Sequence, residues 1–370
     1  MANPKTYKVA FSLANFIKPD YFHRILKDRA VLEISDKPDF VFCGIFDQNK
    51  FLDYGDKPVR IYFYDENVFP DMNLFDYAIG FQDMSLSGRH LHVPYYYFDF
   101  ENYKKLLDKT NKNHRFSGTF SESCEPTEPA IFPKENLPNL TGPLSCDPLN
   151  RKFCNFIYSN PGNGKLSITR QEFCRDLMTY KHVDCPGRVL NNMQNAIEPR
   201  KENWTEGKLD FIKNYKFTIA FENSDSIGYT TEKLIHPLLA NSIPIYYGNR
   251  NAAADGFNPR AFINGNDFDS LEDLKKFIIE LDNDNQKYLE MLREPPLLVD
   301  GIPDWDKIIA DYIMNILENG EKFTIHGQRL SPFYVLQRNS RKMRKFLVKI
   351  MTLFVPNKSK RMQLRQRFGV

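Results

Sequence analysis

The chain has 370 residues, of which 42% are hydrophobic and 14% aromatic, and its formal net charge is +3. This length suits two domains of ordinary size, and the apolar content excludes a largely disordered chain. No window reaches the roughly 20 apolar residues that a membrane span needs, and the first residues lack the layout of a signal peptide.

The N-terminal half alternates short apolar runs with amphipathic segments. A helix is predicted near 21–31, and residues 117–150, rich in Pro, Ser, Glu and Asn, are predicted to form a long irregular connection. Such alternation is typical of parallel strands joined by crossover helices. Strands are predicted at 8–13, 38–46, 58–64 and 75–81.

The second half begins with a predicted strand at 152–159 and a helix at 167–180. Further helices are predicted at 269–281 and 304–318. Two α/β units of this kind indicate two facing domains with a cleft between them. The predicted limits are 1–150 for the first domain, 151–325 for the second and 326–370 for a basic tail.

Residues 216–249 are the most informative segment. An apolar run over 217–221 ends in Glu222 and Asn223, and a polar loop then leads into an amphipathic helix opened by Glu232 and Lys233. Ligands of open α/β sheets bind where strands end beside helix N-termini, and free N–H groups there favour phosphate. The segment therefore predicts a nucleoside-diphosphate site.

The same segment resembles the signature of the α1,3/4-fucosyltransferases, glycosyltransferase family 10, and looks most like the bacterial members. It carries F-E-N at 221–223, G-Y-x-T-E-K at 228–233 and I-P-I-Y-Y-G at 243–248, in order and without gaps. With weaker pieces upstream, the resemblance covers most of residues 60–265. Those pieces are 65–67, 73–81, 154–156, 159–161 and Arg170.

The resemblance implies a GT-B fold, with two facing Rossmann-like domains and a basic amphipathic C-terminal tail. The first domain is expected to bind the acceptor and the second GDP-fucose. The implied reaction moves L-fucose from GDP-β-L-fucose to the GlcNAc of an N-acetyllactosamine-type glycan and inverts the anomeric centre. The expected product is of the Lewis-x type, while the choice between α1,3 and α1,4 linkage stays open.

Glu66 is the predicted general base, because an inverting displacement needs a carboxylate on the acceptor side. It follows the predicted strand 58–64 and matches the base that the family's E-N element implies. Asp65 is a rival, although successive strand residues point to opposite sides. Without the resemblance, a solvated loop acid is the favoured interpretation of Glu66.

The donor site is predicted from residues of the second half. Lys233 and Arg170 match the family's phosphate-binding cations, and a guanidinium can bind phosphate through two N–H groups. Glu232 is expected to bind fucose hydroxyls or the developing positive charge. The alternative for Arg170 is an ordinary arginine on a helix surface. The alternative for Glu232 is an acid in the first turn of a helix, where the helix dipole favours negative charge. The remaining predicted donor contacts are Glu222, Asn223 and Tyr229.

No metal or other cofactor is expected, and GDP-fucose is a co-substrate. Two Asp-x-Asp motifs, at 267–269 and 282–284, are interpreted as helix-capping and turn residues. The seven histidines suggest no ligand set. Six cysteines without a C-x-x-C pair favour reduced thiols in a cytoplasmic protein, with a bridge between Cys124 and Cys146 open if the protein is exported.

The C-terminal segment 338–370 contains eleven Lys or Arg and no acid. The rest of the chain has 39 basic and 47 acidic residues, a net charge of −8. A basic helix with an apolar stripe predicts docking on an anionic membrane surface, at about 1 kcal/mol per basic residue near the lipid. The stripe consists of Met343, Phe346, Leu347, Ile350, Met351 and Phe354.

Two other interpretations of the segment are packing on the protein's own acidic body and nucleic-acid binding, but no recognition motif supports the latter. The expected location is cytoplasmic, peripheral on the inner face of the cytoplasmic membrane, where the enzyme would finish a lipid-linked glycan. The alternative functions are a non-catalytic, membrane-docked sugar or nucleotide binder on the same fold, and transfer of a different nucleotide sugar.

Overall fold

The structure is a computed structural model that describes most of both halves and part of the tail. The described residues are 4–13, 17–45, 50–64, 66–114, 148–162, 164–193, 204–224, 226–298, 303–323, 343, 346–348, 350–352, 355 and 361.

In the described part of the N-terminal half, six parallel strands form one sheet. They are β1 (Lys5–Ser12), β2 (Ala30–Ile34), β3 (Phe40–Gly44), β4 (Val59–Tyr64), β5 (Tyr77–Gly80) and β6 (His90–His92). Their order across the sheet is β2-β1-β3-β4-β5-β6. Every residue of β4 and β5 is buried, as expected for central parallel strands covered on both faces. The four strands predicted here are confirmed as β1, β3, β4 and β5.

A second parallel sheet forms the other half. Its strands are β7 (Lys152–Asn155), β8 (Val183–Asp184), β9 (Tyr215–Phe221), β10 (Ile243–Tyr247) and β11 (Ile263–Asn264). Their order is β11-β10-β9-β7-β8. The central strand β9 is buried along its whole length, and it leads directly into the segment that predicted a nucleotide site.

Nine α-helices cover the two sheets in the described part of the chain. Those of the first half are α1 (Pro19–Leu26), α2 (Tyr95–Phe98) and α3 (Phe100–His114). Those of the second half are α4 (Lys165–Leu177), α5 (Trp204–Ile212), α6 (Glu232–Leu239), α7 (Leu271–Asn283), α8 (Asn285–Arg293) and α9 (Trp305–Asn319).

Helix α3 of the first half packs against α6 of the second. The buried Lys109 of α3 donates hydrogen bonds to the carbonyl of Leu238 and to Oδ1 of Asn241, the latter at 2.6 Å. The buried Arg151 donates to the carbonyl of Asn241. Both cations thus lie at the C-terminal end of α6, where the helix dipole favours positive charge.

Helix α9 returns to the first half and packs against α1. Its Asp306 forms an ion pair with Arg24 at 2.7 Å and accepts a hydrogen bond from Tyr97. The sequence did not indicate this return of the chain. The predicted domain limits stay a prediction.

The helix predicted near 21–31 ends earlier, since α1 stops at Leu26 and β2 begins at Ala30. In β2 the buried Ala30 and Leu32 alternate with the exposed Val31 and Glu33, as in a strand with one buried face. The β-branched Val31 and Ile34 also fit a strand better than a helix. The predicted irregular connection 117–150 lies outside the described residues except for 148–150, which form a single 3₁₀ turn.

The carboxylates of the two Asp-x-Asp motifs have structural contacts. Asp282 forms ion pairs with Lys181 and with Lys216, the latter at 3.1 Å. Asp284 caps α8 by accepting a hydrogen bond from the backbone N–H of Lys287 at 3.0 Å. Asp267 accepts a hydrogen bond from the side-chain amide of a neighbouring asparagine. Asp284, between α7 and α8, confirms the interpretation as a capping and turn residue, whereas Asp282 lies inside α7 and is held by ion pairs, so the prediction of a turn is wrong for that residue.

The tail is described only in part, and residues 346–348 and 350–352 are helical there. Val348 and Thr352 are buried on one side of the helix. The other side exposes the predicted apolar stripe, with Phe354 lying outside the described residues. Across the part of the chain that the structure describes, none of the helices is long and apolar enough to cross a membrane. The exposed members of the stripe are Met343, Phe346, Leu347, Ile350 and Met351.

Candidate active site

The junction of β9 and α6 is organised around Glu222, the fully buried residue that follows the strand. Its Oε1 accepts hydrogen bonds from the backbone N–H of Thr231 at 2.7 Å and from the Thr231 hydroxyl at 3.0 Å. Thr231 is also the N-cap of α6. A Cβ at Gly248 would lie 2.5 Å from Cγ of Glu222, so a glycine is needed at the end of β10.

Lys233 lies in the first turn of α6 between two carboxylates. Its Nζ is 3.3 Å from Oε2 of Glu222 and 3.3 Å from Oε1 of Glu232. A third contact, at 3.0 Å, is to the hydroxyl of Thr231. The ammonium therefore donates hydrogen bonds to Thr231 and Glu232 and forms an ion pair with Glu222. A phosphate oxygen that binds Lys233 must replace one of them, and Glu232 is the more exposed carboxylate.

The charges of this cluster depend on one another. Burial raises the pKa of Glu222, and Lys233 only partly offsets that effect. Burial would also raise the pKa of Glu232, but Lys233, Lys208 and His236 outweigh it and lower that pKa well below its usual range. Burial lowers the pKa of Lys208 to about 8.

Arg170 of α4 lies at the same corner, and its guanidinium is buried. Nη1 donates to Oδ1 of Asn223 at 2.6 Å, Nη2 donates to the carbonyl of Asn160 at 2.6 Å, and Cζ lies 4.1 Å from the ring centre of Tyr158. Nε has no hydrogen-bond partner among the described residues. These contacts are not those of an ordinary surface arginine.

Glu66 follows β4 in the opposite half, while Asp65 lies outside the described residues. The residue is exposed as a whole, yet protein atoms around the cleft reduce the hydration of its carboxyl and raise its pKa. The charge of Glu232 raises that pKa further, and Lys233 opposes both effects. Glu66 is thus close enough to the β9–α6 junction for its charges to interact with those of α6.

Loops of the two halves meet beside this cleft. The side-chain amide of Asn67 donates a hydrogen bond to the hydroxyl of Ser224. The buried Tyr229 packs its ring against Phe81, with ring centres 5.0 Å apart, and against Tyr95 at 6.3 Å. Tyr229 therefore joins the two halves, and its predicted donor contact stays a prediction.

Sequence reasoning missed several residues that organise the site. Lys208 of α5 carries no motif, and burial at a helix–strand contact cannot be read from spacing alone. Tyr158 precedes the S-N-P element, and its position beside the family motif was the only available signal. Thr231 lies inside the signature as a helix cap, a role that its residue type favours. The missed residues also include His236 and Asn249.

The arrangement can bind a diphosphate, the hydroxyl groups of a donor sugar and the hydroxyl group of an acceptor. The N-terminus of α6, Lys233 and the free Nε of Arg170 favour an anion. Glu232 can accept hydrogen bonds from sugar hydroxyls. Glu66, on the other side of the cleft, can accept a proton from an acceptor hydroxyl. Among the described residues there is no cluster of three or more His, Cys, Asp or Glu side chains that could hold a metal ion.

Two family descriptions match the chain. "Glycosyltransferase family 10 (fucosyltransferase) C-term" matches residues 150–293, which include the β9–α6 junction. "Alpha-(1,3)-fucosyltransferase FucT N-terminal domain" matches residues 11–99, which include Glu66. Both sides of the cleft therefore fall within the matched regions.

The chain is similar to curated proteins from several sources. It is 31% identical over 316 residues to the alpha-(1,3)-fucosyltransferase FucT of Helicobacter pylori, which covers 82% of this chain and 63% of that protein. It is 34% identical over 123 residues to the GDP-fucose protein O-fucosyltransferase 3 of Bos taurus, covering 32% of this chain and 25% of that protein. The chain thus spans less than two thirds of the length of these two curated relatives.

Solved structures of an α1,3-fucosyltransferase are also similar to the chain. The structure with GDP-fucose has a TM-score of 0.62 and 27% identity, and the alignment covers 88% of this chain and 95% of that one. The structure with GDP has a TM-score of 0.60 and 29% identity, with 87% and 93% coverage. Both alignments extend over the two sheets, and the predicted GT-B fold of two Rossmann-like domains is confirmed.

Proposed function

This chain belongs to glycosyltransferase family 10, the fucosyltransferases, and on that premise we propose that it is an inverting α1,3-fucosyltransferase. The donor is GDP-β-L-fucose, and the acceptor is the GlcNAc of an N-acetyllactosamine-type glycan, giving a Lewis-x-type product. The observation that carries the proposal is the β9–α6 junction, where Lys233 and Arg170 lie beside a helix N-terminus, and where the loop of Glu66 meets the loop after β9 through the hydrogen bond from Asn67 to Ser224.

The geometry supports a single displacement at the anomeric carbon. The carboxylate of Glu66 takes the proton of the acceptor hydroxyl, and the oxygen of that hydroxyl attacks C1 of fucose. The bond between C1 and the β-phosphate oxygen breaks at the same time, so a β-linked donor gives an α-linked product. The raised pKa of Glu66 favours its role, because a base must hold the proton that it accepts.

The departing GDP takes the electron pair of the broken bond, and its diphosphate needs nearby positive charge. Lys233 and Arg170 supply that charge, in a site where buried dipoles act more strongly than in water. When a phosphate oxygen replaces Glu232 on Lys233, the freed carboxylate can bind fucose hydroxyls or stabilise the positive charge that develops on the sugar ring. Glu222 keeps Lys233 and the helix cap in place.

Exposed apolar side chains close to Glu66 in the sequence support a sugar acceptor. Val68 and Phe69 follow Glu66 by two and three residues and are 49% and 67% exposed, and Ile227 of the loop before α6 is 55% exposed. Sugar rings present apolar C–H faces that pack well on aromatic side chains. Phe69 is therefore the proposed platform for the acceptor.

The tail supports a peripheral location on the inner face of the cytoplasmic membrane. Its described helix exposes a stripe of bulky apolar side chains, and the segment 338–370 carries eleven positive charges and no negative one. Together these features favour an anionic lipid surface, where the enzyme would reach a lipid-linked acceptor.

The test is release of GDP from GDP-fucose by the purified full chain, with N-acetyllactosamine and EDTA present. We expect release that depends on the acceptor and is unaffected by EDTA. Glu66→Ala and Glu66→Gln should abolish transfer while GDP binds with nearly unchanged affinity. Glu290→Gln, which changes an exposed acid on α8, is the matched control and should leave transfer unchanged.

Three other outcomes would each contradict a part of the proposal. Saturable GDP binding without release would move the protein to the non-catalytic alternative or to a different acceptor. Loss of GDP binding in Glu66→Ala would give that residue a structural role. Loss of activity with EDTA that added Mg²⁺ or Mn²⁺ restores would contradict metal-independent transfer.

A further inference from the structure

A chain of buried side chains links the loop before α6 to the N-terminal half. Its centre is Asn249, fully buried after β10. Oδ1 of Asn249 accepts hydrogen bonds from the backbone N–H of Gly228 at 2.9 Å and of Asn251 at 3.0 Å. Nδ2 donates to the hydroxyl of Thr230 at 3.0 Å and to Oδ2 of Asp255 at 2.8 Å. Asn249 therefore fixes two residues of the signature loop.

Asp255 connects this amide to the opposite half. It is buried, and its Oδ1 lies 3.1 Å from Nε2 of His92 at the end of β6. Its backbone carbonyl accepts a hydrogen bond from the hydroxyl of Tyr96 at 2.8 Å. Both partners belong to the N-terminal half, so Asp255 is held from across the junction.

The loop also touches the N-terminal half directly. Gly228 has a φ of +81°, and a Cβ there would lie 2.0 Å from the carbonyl oxygen of Phe81 and 3.5 Å from Cε1 of His92. His92 thus lies close to the loop at Gly228 and is also connected to it through Asp255 and Asn249. Thr231 and Lys233 follow within five residues. They belong to the part of the β9–α6 junction where the donor is proposed to bind, which we call the donor corner.

We infer that His92 is a positioning residue whose imidazolium, through Asp255 and Asn249, fixes the loop 228–231 in the geometry that binds the diphosphate of the donor. The inference rests on the proposed function, because it concerns the same donor site. His92 itself makes no contact with the donor. Its effect reaches the donor only through the loop.

The groups that face His92 decide when it is charged. Burial lowers the pKa of His92, but the hydrogen bond and charge of Asp255, the carbonyl of Gln82 and the charge of Asp83 outweigh burial and raise it above the ordinary value. His90, the neighbouring titratable group, is held neutral because burial lowers its pKa to about 4. Burial raises the pKa of Asp255, so that carboxylate depends on its two partners.

The sign of the pH effect follows from the raised pKa. The pairing of His92 with Asp255 is fully present below the pKa of free histidine and is lost as the pH rises through the raised pKa. We therefore expect the affinity for the donor to fall as the pH rises through that range. A residue that only fills space would give no such dependence.

The experiment compares the full chain with His92→Gln, His92→Phe and Asp255→Asn. KM for GDP-fucose, kcat and Kd for GDP are measured between pH 6 and pH 9. The wild-type Kd for GDP should rise with pH. In His92→Gln, which can still donate to Asp255, only the part of that rise that comes from Lys208, with its pKa of about 8, should remain. His92→Phe should raise Kd about tenfold at low pH, since a hydrogen bond between charged groups is lost, while kcat changes less.

His182→Gln is the matched control. His182 also lies 3.0 Å from an aspartate, Asp184, but its side chain is 71% exposed, and the variant should retain the wild-type profile. An unchanged Kd and an unchanged pH dependence in folded His92→Phe would overturn the inference. If that variant does not fold, as its melting temperature would reveal, a wild-type pH dependence in His92→Gln or Asp255→Asn would overturn it instead.

The readout separates this inference from the proposed function. Kd for GDP is measured without turnover, so a chain that binds GDP but transfers no fucose still tests the role of His92. Failure of transfer with the expected Kd pattern would contradict the activity and support the positioning role. Normal transfer with a Kd for GDP that does not depend on pH would support the activity and contradict the positioning role of His92.

Discussion

At the level of single residues, the donor corner combines function with local stability. Lys233 has one partner in the strand end, Glu222, and one in its own helix, Glu232. Replacing Lys233 with a neutral residue leaves the buried Glu222 without its cation, a change that costs about 3–5 kcal/mol for buried ion pairs. Weaker donor binding in such a variant therefore needs a parallel measurement of stability before it is assigned to lost phosphate contact.

The pH dependence of transfer reports on Glu66. Its pKa is raised first by burial and then by the charge of Glu232. A base must be ionised, so kcat/KM for the acceptor should fall as the pH drops through this raised pKa, above the value of about 4.3 for a free glutamate. The acidic limb of the pH–rate profile measures it.

GDP binding at the same pH values is the control, because the proposed role of Glu66 does not include binding of GDP. A limb at or below the ordinary glutamate value, or one that persists at reduced rate in Glu66→Gln, would contradict the assignment of the base.

Residue identities were predictable where the family signature names them, and environments were not. The signature singled out Glu222, Tyr229, Glu232 and Lys233, and all four gather at or beside the β9–α6 junction. It could not show that Tyr229 packs against Phe81 of the other half. Nor could it reveal Lys208, whose effect arises from burial beside carboxylates distant in sequence.

At the level of elements, the loop between β9 and α6 depends on a close approach at Gly228. Its φ of +81° is unfavourable for other residues by about 1–2 kcal/mol, and an added Cβ would lie 2.0 Å from the carbonyl oxygen of Phe81. Gly228→Ala should therefore displace the loop and lower transfer by at least about tenfold, a loss equivalent to 1.4 kcal/mol. The measurement is kcat/KM together with the melting temperature.

Gly207→Ala is the control for this change. Gly207 lies in α5, a Cβ there meets nothing within 4 Å, and alanine should stabilise the helix by about 0.5–1 kcal/mol. Wild-type transfer by folded Gly228→Ala would show that the loop tolerates displacement.

Long elements with clear periodicity were predictable, and short ones were not. The strands β4, β9 and β10 are largely apolar runs, interrupted only by Arg60 in β4 and by Lys216 and Thr218 in β9, and such runs are typical of buried parallel strands. The edge strands β6 and β8 have three and two residues, too few to show a period. Their pairing is decided by the neighbouring strand rather than by their own sequence.

At the level of the whole molecule, charge is divided between the body and the tail. Deleting 338–370 should release the protein from anionic vesicles and leave kcat on soluble N-acetyllactosamine unchanged, because the tail carries none of the proposed site residues. Co-sedimentation with anionic and with neutral vesicles measures the first effect. The GDP-release assay measures the second.

A full-length variant with Phe346→Ser and Ile350→Ser separates the two contributions to membrane binding. Both side chains are exposed, and the change removes apolar area while keeping every charge. Intermediate vesicle binding should result. Undiminished binding by the deletion variant would mean that the tail is not the anchor.

The contacts between the halves could not be predicted, because they join residues far apart in the chain. Lys109 has the pattern of a solvated lysine on a helix, yet it is buried against the end of α6. Asp306 of α9 likewise pairs with Arg24 of α1. Fold class follows from local pattern, whereas these pairings depend on the overall arrangement.

The position of α6 limits how this protein can be recombined with its relatives. Its first turn forms the proposed donor corner, while its last residues are bound by Lys109 from the other half. A hybrid that takes its N-terminal half from a relative would also replace the lysine that binds the end of α6. In a hybrid made to change acceptor specificity, α3 and α6 should therefore both come from the same parent protein.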